Sequence, residues 1–156
     1  MTDNALRELY QEVILDHSRH PRHYGALDGA SHKAEGYNPL CGDRVTVYLK
    51  LGEDNRVADI KFQGKGCAIS QASASLMTMK LKGKSHEAAM SLLRAFQALV
   101  TGDDTEPPPE LGDLRLLRGV RKFPQRVKCA MLAARAAEQA LQQSAGETIV
   151  STEVES

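Results

Sequence analysis

Apolar and polar residues alternate in two neighbouring segments of the chain, residues 44–51 and 56–63. A period of two residues is typical of a strand with one buried and one solvated face. The apolar positions are Val45, Val47, Leu49 and Leu51 in the first segment and Ala58, Ile60 and Phe62 in the second. Because a turn-forming run at residues 52–55 separates the segments, they predict an antiparallel hairpin, and a third strand is predicted near residues 32–37.

Apolar residues at a spacing of three and four predict helices on either side of this hairpin. The predicted helices cover residues 3–17, 68–82 and 86–100, and a last long helix begins at Pro124. Ser85 is a predicted N-cap, and Gly102 is predicted to end the third helix. Residues 103–113 contain three consecutive prolines and five acidic residues, which predicts a stiff exposed loop before a helical turn near residues 114–117.

The size and composition of the chain indicate one globular domain. Its 156 residues are 42% apolar and 26% charged, a profile typical of a folded domain with a single core. We predict an α+β domain over residues 1–143 and a flexible polar tail over residues 144–156.

Charge and hydropathy exclude several classes of function. Twenty basic and twenty acidic side chains cancel, so the whole molecule has no field that would gather nucleic acid or anionic lipid. No stretch of the sequence approaches the length that spans a bilayer, and the N-terminus has no apolar signal region. We therefore expect a cytoplasmic protein that binds neither nucleic acid nor membranes.

The three cysteines indicate thiol or metal chemistry. An odd number of cysteines in a chain expected in the reducing cytosol argues against a disulfide framework. Cys41 lies in the run Cys41-Gly42-Asp43 just before the first hairpin strand, and Cys67 follows the second strand. Antiparallel pairing brings these two points together at the open end of the hairpin. Cys129 is predicted to lie about one turn inside the last helix.

Three thiolates and a carboxylate suit either zinc or an iron–sulfur cluster. The start of a helix after Cys67, with Lys65 and Lys128 nearby in sequence, would lower the pKa of the thiols and favour metal binding and attack on sulfur. The alternative is that the three cysteines are small buried apolar residues, because the chain contains no CxxC motif.

Three histidines near the N-terminus, His17, His20 and His23, form a second candidate ligand group. A proline interrupts the predicted helix between them, so a shared metal centre is disfavoured and a solvated or capping role is favoured. His32 and His86 are isolated in the sequence and are expected to be ordinary core or surface residues.

Basic residues are concentrated between residues 114 and 137, where no acidic residue occurs. The segment has few aromatic residues and the protein is neutral overall, so a nucleic-acid site is disfavoured. We interpret this block either as a docking surface for an acidic protein partner beside Cys129 or as a solvated helix face.

The chain resembles the SufU/IscU family, whose members share the NifU N-terminal domain. The matching strings are LYQEVILDHSRHPRHYG, NPLCGD, DIKFQGKGCAISQASASLM and GVRKFPQRVKCAMLA, which run from residue 9 to about residue 133. The resemblance implies a small three-stranded antiparallel sheet with helices packed on one face. It also implies that Cys41, Asp43, Cys67 and Cys129 are the ligands of the site, with Asp43 as the exchangeable one.

Two departures place the chain nearest the SufU branch of that family. Lys128 precedes the last cysteine, where IscU-type scaffolds have a histidine, and FPQRVKC replaces the chaperone-docking sequence of those scaffolds. SufU-like proteins hold zinc tightly and accept persulfide sulfur from a cysteine desulfurase. The resemblance therefore implies bound Zn²⁺, a cysteine desulfurase as partner, and partner docking through Arg126 and Lys128.

Three hypotheses follow from the resemblance. In the first, the chain is a sulfurtransferase-like acceptor whose Cys41 attacks the persulfide of a desulfurase. In the second, it is a non-catalytic scaffold that holds iron or a [2Fe–2S] cluster transiently before transfer to apo-acceptors or other assembly proteins. In the third, zinc only holds the fold together.

Overall fold

The computed structural model describes residues 12–39, 42–102, 108–142 and 150–153. Within these ranges the strands are β1 (His32–Asn38), β2 (Asp43–Leu51), β3 (Val57–Lys65) and β4 (Val150–Glu153), and the helices are α1 (residues 12–19), α2 (Ala68–Leu81), α3 (His86–Thr101) and α4 (Pro124–Gln142). A 3₁₀ segment, Pro109–Lys122, connects α3 to α4. The predicted α+β class is confirmed.

The four strands form one sheet in the order β3-β2-β1-β4. Both the β1–β2 and the β2–β3 pairs are antiparallel, which confirms the predicted three-stranded antiparallel sheet. Residues 150–153 were predicted to lie in the flexible tail. They instead form β4, which pairs in parallel with β1 and covers its open edge. The predicted domain boundary at residue 143 lies outside the described residues.

A β-bulge changes the alternation that was expected for β3. Lys50 pairs with Asp59 and Leu51 pairs with Val57, so Ala58 is an extra residue without a partner in the ladder. Val57 is consequently buried in the core while Ala58 is exposed. The prediction of Ala58 as part of the apolar face was wrong for this reason, whereas Ile60 and Phe62 are buried as predicted.

Helices α2 and α4 pack on one face of the sheet, with α4 against β1 and β2 and α2 against β3. Val45, Val47 and Leu49 of β2 are buried on that face. The opposite face is partly solvated and carries cationic side chains over tyrosine rings. The predicted packing of helices on one face is therefore confirmed.

The 3₁₀ segment uses an apolar repeat of three residues. Its fully or almost fully buried side chains are Leu111, Leu114, Leu117 and Val120. Because a 3₁₀-helix has three residues per turn, residues at this spacing lie on one side and pack together on the core. The predicted exposed loop is thus wrong from Pro109 onward, and residues 103–107 lie outside the described residues.

The predicted ends of the helices are confirmed where the structure describes them. The Ser85 hydroxyl caps α3 by accepting a hydrogen bond from the Ala88 backbone amide at 3.2 Å. Gly102 ends α3 in the left-handed conformation, and α4 begins at Pro124. Most of the predicted first helix, residues 3–11, lies outside the described residues. Among the described residues, no helix has the length and apolar character needed to cross a membrane.

Candidate metal and thiol site

Three chemically active side chains meet where the hairpin, α2 and α4 approach one another. Asp43 begins β2, Cys67 is the N-cap residue of α2, and Cys129 lies in the second turn of α4. One carboxylate oxygen and the two sulfurs all lie within 4.8 Å of one another. The structure therefore brings together three of the four ligands expected from the sequence, while Cys41 lies outside the described residues.

The open end of the hairpin brings Asp43 close to the segment before Cys67. Arg44 of β2 pairs with Lys65 of β3, so the residues that flank this pair are neighbours. A glycine at position 66 allows this segment to lie close to Asp43, because a Cβ there would be 3.2 Å from the Asp43 Cγ and would collide with the Ser70 hydroxyl. The backbone at Gly66 therefore lies directly against the carboxylate.

A buried hydrogen bond between helices helps to place Cys129. The Ser73 hydroxyl on α2 donates to the Ala130 carbonyl on α4 at 2.6 Å, and Ser73 is completely buried. Since Ala130 directly follows Cys129, this bond joins the helix that begins after Cys67 to the helix that carries Cys129. The sequence analysis did not predict this contact, and the spacing of three residues between Ser70 and Ser73 was the signal that could have indicated it.

Asp43 is buried yet incompletely hydrogen-bonded. Its side chain is 5% exposed, and its Oδ2 atom has no hydrogen-bond partner among the described residues. Leaving a buried acceptor without a partner is unfavourable. A cation beside Cys67 and Cys129 would satisfy this oxygen.

Neither of the two described cysteines is in a disulfide, and each thiol strongly shifts the pKa of the other. The pKa of Cys67 is lowered to about 6, chiefly because the Cys129 thiol donates a hydrogen bond to its sulfur, with a smaller contribution from Ser70. The pKa of Cys129 is raised, because it is the donor in this bond and because it is buried. The metal-free site therefore favours one thiolate at Cys67. The predicted lowering of the pKa by the start of the helix is found as the hydrogen bond from the Ser70 backbone amide, whereas the main cause is Cys129 and not the two lysines.

Arg126 lies at the solvent side of the cysteine pair. The pKa of its guanidinium is raised, first by the negative charge of Cys67 and further by hydrogen bonds to Cys67 and Cys129. The side chain is otherwise exposed. Lys128, the other residue predicted to dock a partner, is half-buried.

The N-terminal histidines do not form a second centre. His17 is buried, and its Nδ1 lies 2.8 Å from the Ser75 hydroxyl. Among the described residues, the histidine, cysteine and acidic side chains that lie close enough together to hold a metal ion are Asp43, Cys67 and Cys129. His32 is buried, and the His86 Nε2 atom lies 2.6 Å from the Leu141 carbonyl oxygen. Both histidines therefore contribute to the packing of the fold.

Two sulfur atoms and one carboxylate oxygen form a donor set that suits Zn²⁺ and leaves room for a fourth ligand. Thiolates are also the usual ligands of iron–sulfur clusters. The unpartnered Asp43 oxygen and the low pKa of Cys67 both fit a cation at this position.

Comparisons with known proteins identify the family to which the chain is similar. The model of the NifU-like N terminal domain matches residues 9–148. The chain is 44% identical over 145 residues to the iron–sulfur cluster assembly scaffold protein IscU of Streptococcus pyogenes, covering 93% of this chain and 90% of the relative. It is also 44% identical over 147 residues to the zinc-dependent sulfurtransferase SufU of Bacillus subtilis, covering 94% of this chain and 99% of the relative.

A solved structure from Fervidobacterium islandicum, described as a scaffold protein of the SUF system for iron–sulfur cluster assembly, superposes with a TM-score of 0.79. It is 34% identical, and the match covers 87% of this chain and 98% of that structure. The fold, the site and the extent of these matches lead to one conclusion: the chain belongs to the family of NifU-like N-terminal domains.

Proposed function

We propose that this protein accepts sulfur from the persulfide of a cysteine desulfurase at a zinc site formed by Cys41, Asp43, Cys67 and Cys129. The observation that carries the proposal is the convergence of the last three residues within 4.8 Å. The similarity to the Bacillus subtilis relative, a zinc-dependent sulfurtransferase, supports both the metal and the reaction.

The protein's own groups would each contribute to this function. Asp43, Cys67 and Cys129 would hold the metal together with Cys41, and a bound Zn²⁺ would keep the thiols deprotonated without redox chemistry of its own. Arg126, which contacts both described sulfurs from the exposed side, would meet the incoming partner. Lys128, two residues further along α4, would add a second positive charge near the site for an acidic partner.

Sulfur transfer is a balanced exchange between two cysteines. The Cys41 thiolate attacks the outer sulfur of the partner's persulfide, a sulfur–sulfur bond forms on Cys41, and the partner's cysteine leaves as a thiolate. No external oxidant or reductant is required. We assign the acceptor role to Cys41 because the adjacent Gly42 permits backbone conformations that other residues rarely adopt, and because the resemblance to the SufU branch points to this cysteine.

The test combines metal analysis with a desulfurase assay. Purified protein should contain one zinc per chain, and it should accelerate L-cysteine turnover by a cysteine desulfurase. Mass spectrometry should then find one additional sulfur atom on the Cys41 peptide. The Cys41→Ser variant should not gain this sulfur, and a variant that accepts sulfur as well as the parent would overturn the assignment.

A second candidate function is assembly of a [2Fe–2S] cluster, which is favoured by the similarity to the scaffold proteins of Streptococcus pyogenes and Fervidobacterium islandicum. Anaerobic incubation with iron and sulfide, followed by visible spectroscopy and transfer to an apo-acceptor, tests this function. A protein that stimulates the desulfurase but never binds a cluster would exclude it. The third possibility, a purely structural zinc, predicts that Asp43→Ala reduces activity only as far as it reduces stability.

A further inference from the structure

The outer edge of β3 is covered by a short segment that precedes the sheet. β3 is an edge strand, so alternate backbone groups point away from β2. At Phe62 these groups pair with backbone: the Phe62 amide donates to the His23 carbonyl at 3.0 Å, and the Gly25 amide donates to the Phe62 carbonyl at 2.7 Å. The next outward-facing residue of β3 is Gly64, where this backbone pairing stops.

A side chain continues the pairing at Gly64. The Tyr24 hydroxyl donates to the Gly64 carbonyl at 3.1 Å and lies 3.5 Å from the Gly64 amide nitrogen. The Tyr24 ring is held edge-on against Phe62, with ring centroids 5.3 Å apart and an interplanar angle of 87°. Tyr24 is nevertheless 49% exposed. Its position is therefore set by these contacts with β3 and not by burial in the core.

A second donor reaches the same carbonyl from α2. The Gln71 side-chain amide donates to the Gly64 carbonyl at 3.2 Å, and the Gln71 backbone amide donates to the Cys67 carbonyl at 3.1 Å. Gln71 therefore contacts both ends of the loop that joins β3 to α2. Gly64 itself has a φ of +151° and no space for a Cβ, because the Arg44 backbone lies against it.

These contacts bear directly on the thiol of Cys67. Only Lys65 and Gly66 separate Gly64 from Cys67, and Gly66 lies against the Asp43 carboxylate. Any rotation of the Gly64 peptide would consequently move Cys67 relative to Asp43.

We propose that Tyr24 is a positioning residue for Cys67, and that its hydroxyl and the Gln71 amide together clamp the Gly64 carbonyl so that the loop presents the thiol toward Asp43. This proposal uses the metal site proposed above only as a readout. The clamp itself is a feature of the metal-free chain and is tested there first.

The test compares Tyr24→Phe with Tyr37→Phe, a control that also loses a phenolic hydroxyl close to the same end of the sheet. Tyr37 lies on β1, with the Arg44 guanidinium 4.9 Å from its ring centre. In the metal-free protein, amide hydrogen exchange of residues 65–67 should be about two- to tenfold faster in Tyr24→Phe, the range expected for the loss of one hydrogen bond. Exchange in the β1–β2 ladder should increase less than exchange at residues 65–67, and the thermal midpoint should fall by no more than about 5 °C.

The metal-bound protein gives a second readout. Zinc transfer to a chromogenic chelator should be faster in Tyr24→Phe by a similar factor, and the thiolate-to-metal absorption of the Co²⁺-substituted protein should change. Gln71→Met should produce the same changes, because it removes the other donor while retaining side-chain length. Tyr37→Phe should behave like the parent in every measurement.

Two outcomes would overturn the proposal. One is wild-type exchange at residues 65–67 together with wild-type zinc release in Tyr24→Phe. The other is an exchange increase throughout the sheet as large as that at residues 65–67, together with a fall in the thermal midpoint of more than about 5 °C, since this would indicate general destabilisation. If the parent protein binds no zinc, the proposed function fails, but the exchange measurement still decides whether Tyr24 clamps the loop.

Discussion

Replacing Gly66 by alanine tests whether the loop and the carboxylate are packed as closely as the structure indicates. An added Cβ would meet the Asp43 Cγ at 3.2 Å and the Ser70 Cβ at 3.3 Å, and it would collide with the Ser70 hydroxyl. Ser70 can rotate away only by giving up its hydrogen bond to the Cys67 carbonyl, now 3.0 Å long. The substitution must therefore disturb Ser70 or Asp43, both of which border the site.

The size of the effect follows from two opposing contributions. Overpacking at such a contact costs about 1–3 kcal/mol, while alanine restricts the unfolded chain and returns about 0.4–1 kcal/mol. We expect Gly66→Ala to lower the free energy of unfolding by about 0.5–2 kcal/mol in urea denaturation of the metal-free protein. For a chain of this length, each kcal/mol lowers the thermal midpoint by about 2–4 °C.

A double-mutant cycle with Ser70→Ala identifies the cause. Removing the Ser70 hydroxyl takes away the nearest obstacle, so Gly66→Ala should cost at least about 0.5 kcal/mol less in the Ser70→Ala background than in the parent. Additive effects would mean that the Ser70 hydroxyl does not oppose the new methyl group. A Gly66→Ala protein as stable as the parent, with unchanged zinc release, would refute the close approach of loop and carboxylate.

Three further predictions address other parts of the molecule. Leu114→Ala, in the buried stripe of the 3₁₀ segment, should cost about 2–5 kcal/mol in urea denaturation, and a loss below about 1 kcal/mol would argue against its burial. Burial lowers the pKa of His17, so the unfolded chain takes up the proton more readily below about pH 6.5 and stability should fall from about pH 7 to about pH 5, less steeply in His17→Gln. Cys129→Ala should raise the pKa of Cys67 above about 6, measured as the pH midpoint of its alkylation rate in metal-free protein, because it removes the main hydrogen bond to that sulfur. An unchanged pH midpoint would contradict this cause.

The convergence of Asp43 and Cys67 was predictable because it depends on local pairing. Two alternating segments with a short turn define an antiparallel hairpin, and the residues at its open end must then be neighbours. The position of Cys129 was predictable only from the family resemblance. Nothing in the periodicity of α4 indicates which of its turns approaches the hairpin, since this depends on tertiary contacts such as the bond from Ser73 to Ala130.

The errors have identifiable physical causes. The expectation for Ala58 assumed an uninterrupted ladder, and a bulge shifts the alternation by one residue without a clear sequence signal. Residues 109–113 were predicted as part of an exposed loop because prolines exclude an α-helix, and only one helical turn was predicted near residues 114–117. A period of three among the leucines is compatible with a 3₁₀-helix over the whole segment. Strand β4 was not predicted because it has four residues with one apolar side chain, Val150, and a strand that pairs with an existing edge needs no apolar pattern of its own.

Asp43 links the energetics of the fold to the chemistry of the site. Its Oδ2 atom is buried without a partner among the described residues, which costs about 1–3 kcal/mol in a metal-free chain. A bound cation would remove this penalty and would also stabilise the folded state in proportion to its free concentration over Kd. The same oxygen would then be the ligand least supported by protein hydrogen bonds. If Asp43 is the exchangeable ligand, as the resemblance implies, such a site would gain stability from the metal and would still have one ligand that an incoming group can displace. Sulfur transfer requires this combination, and a purely structural zinc does not.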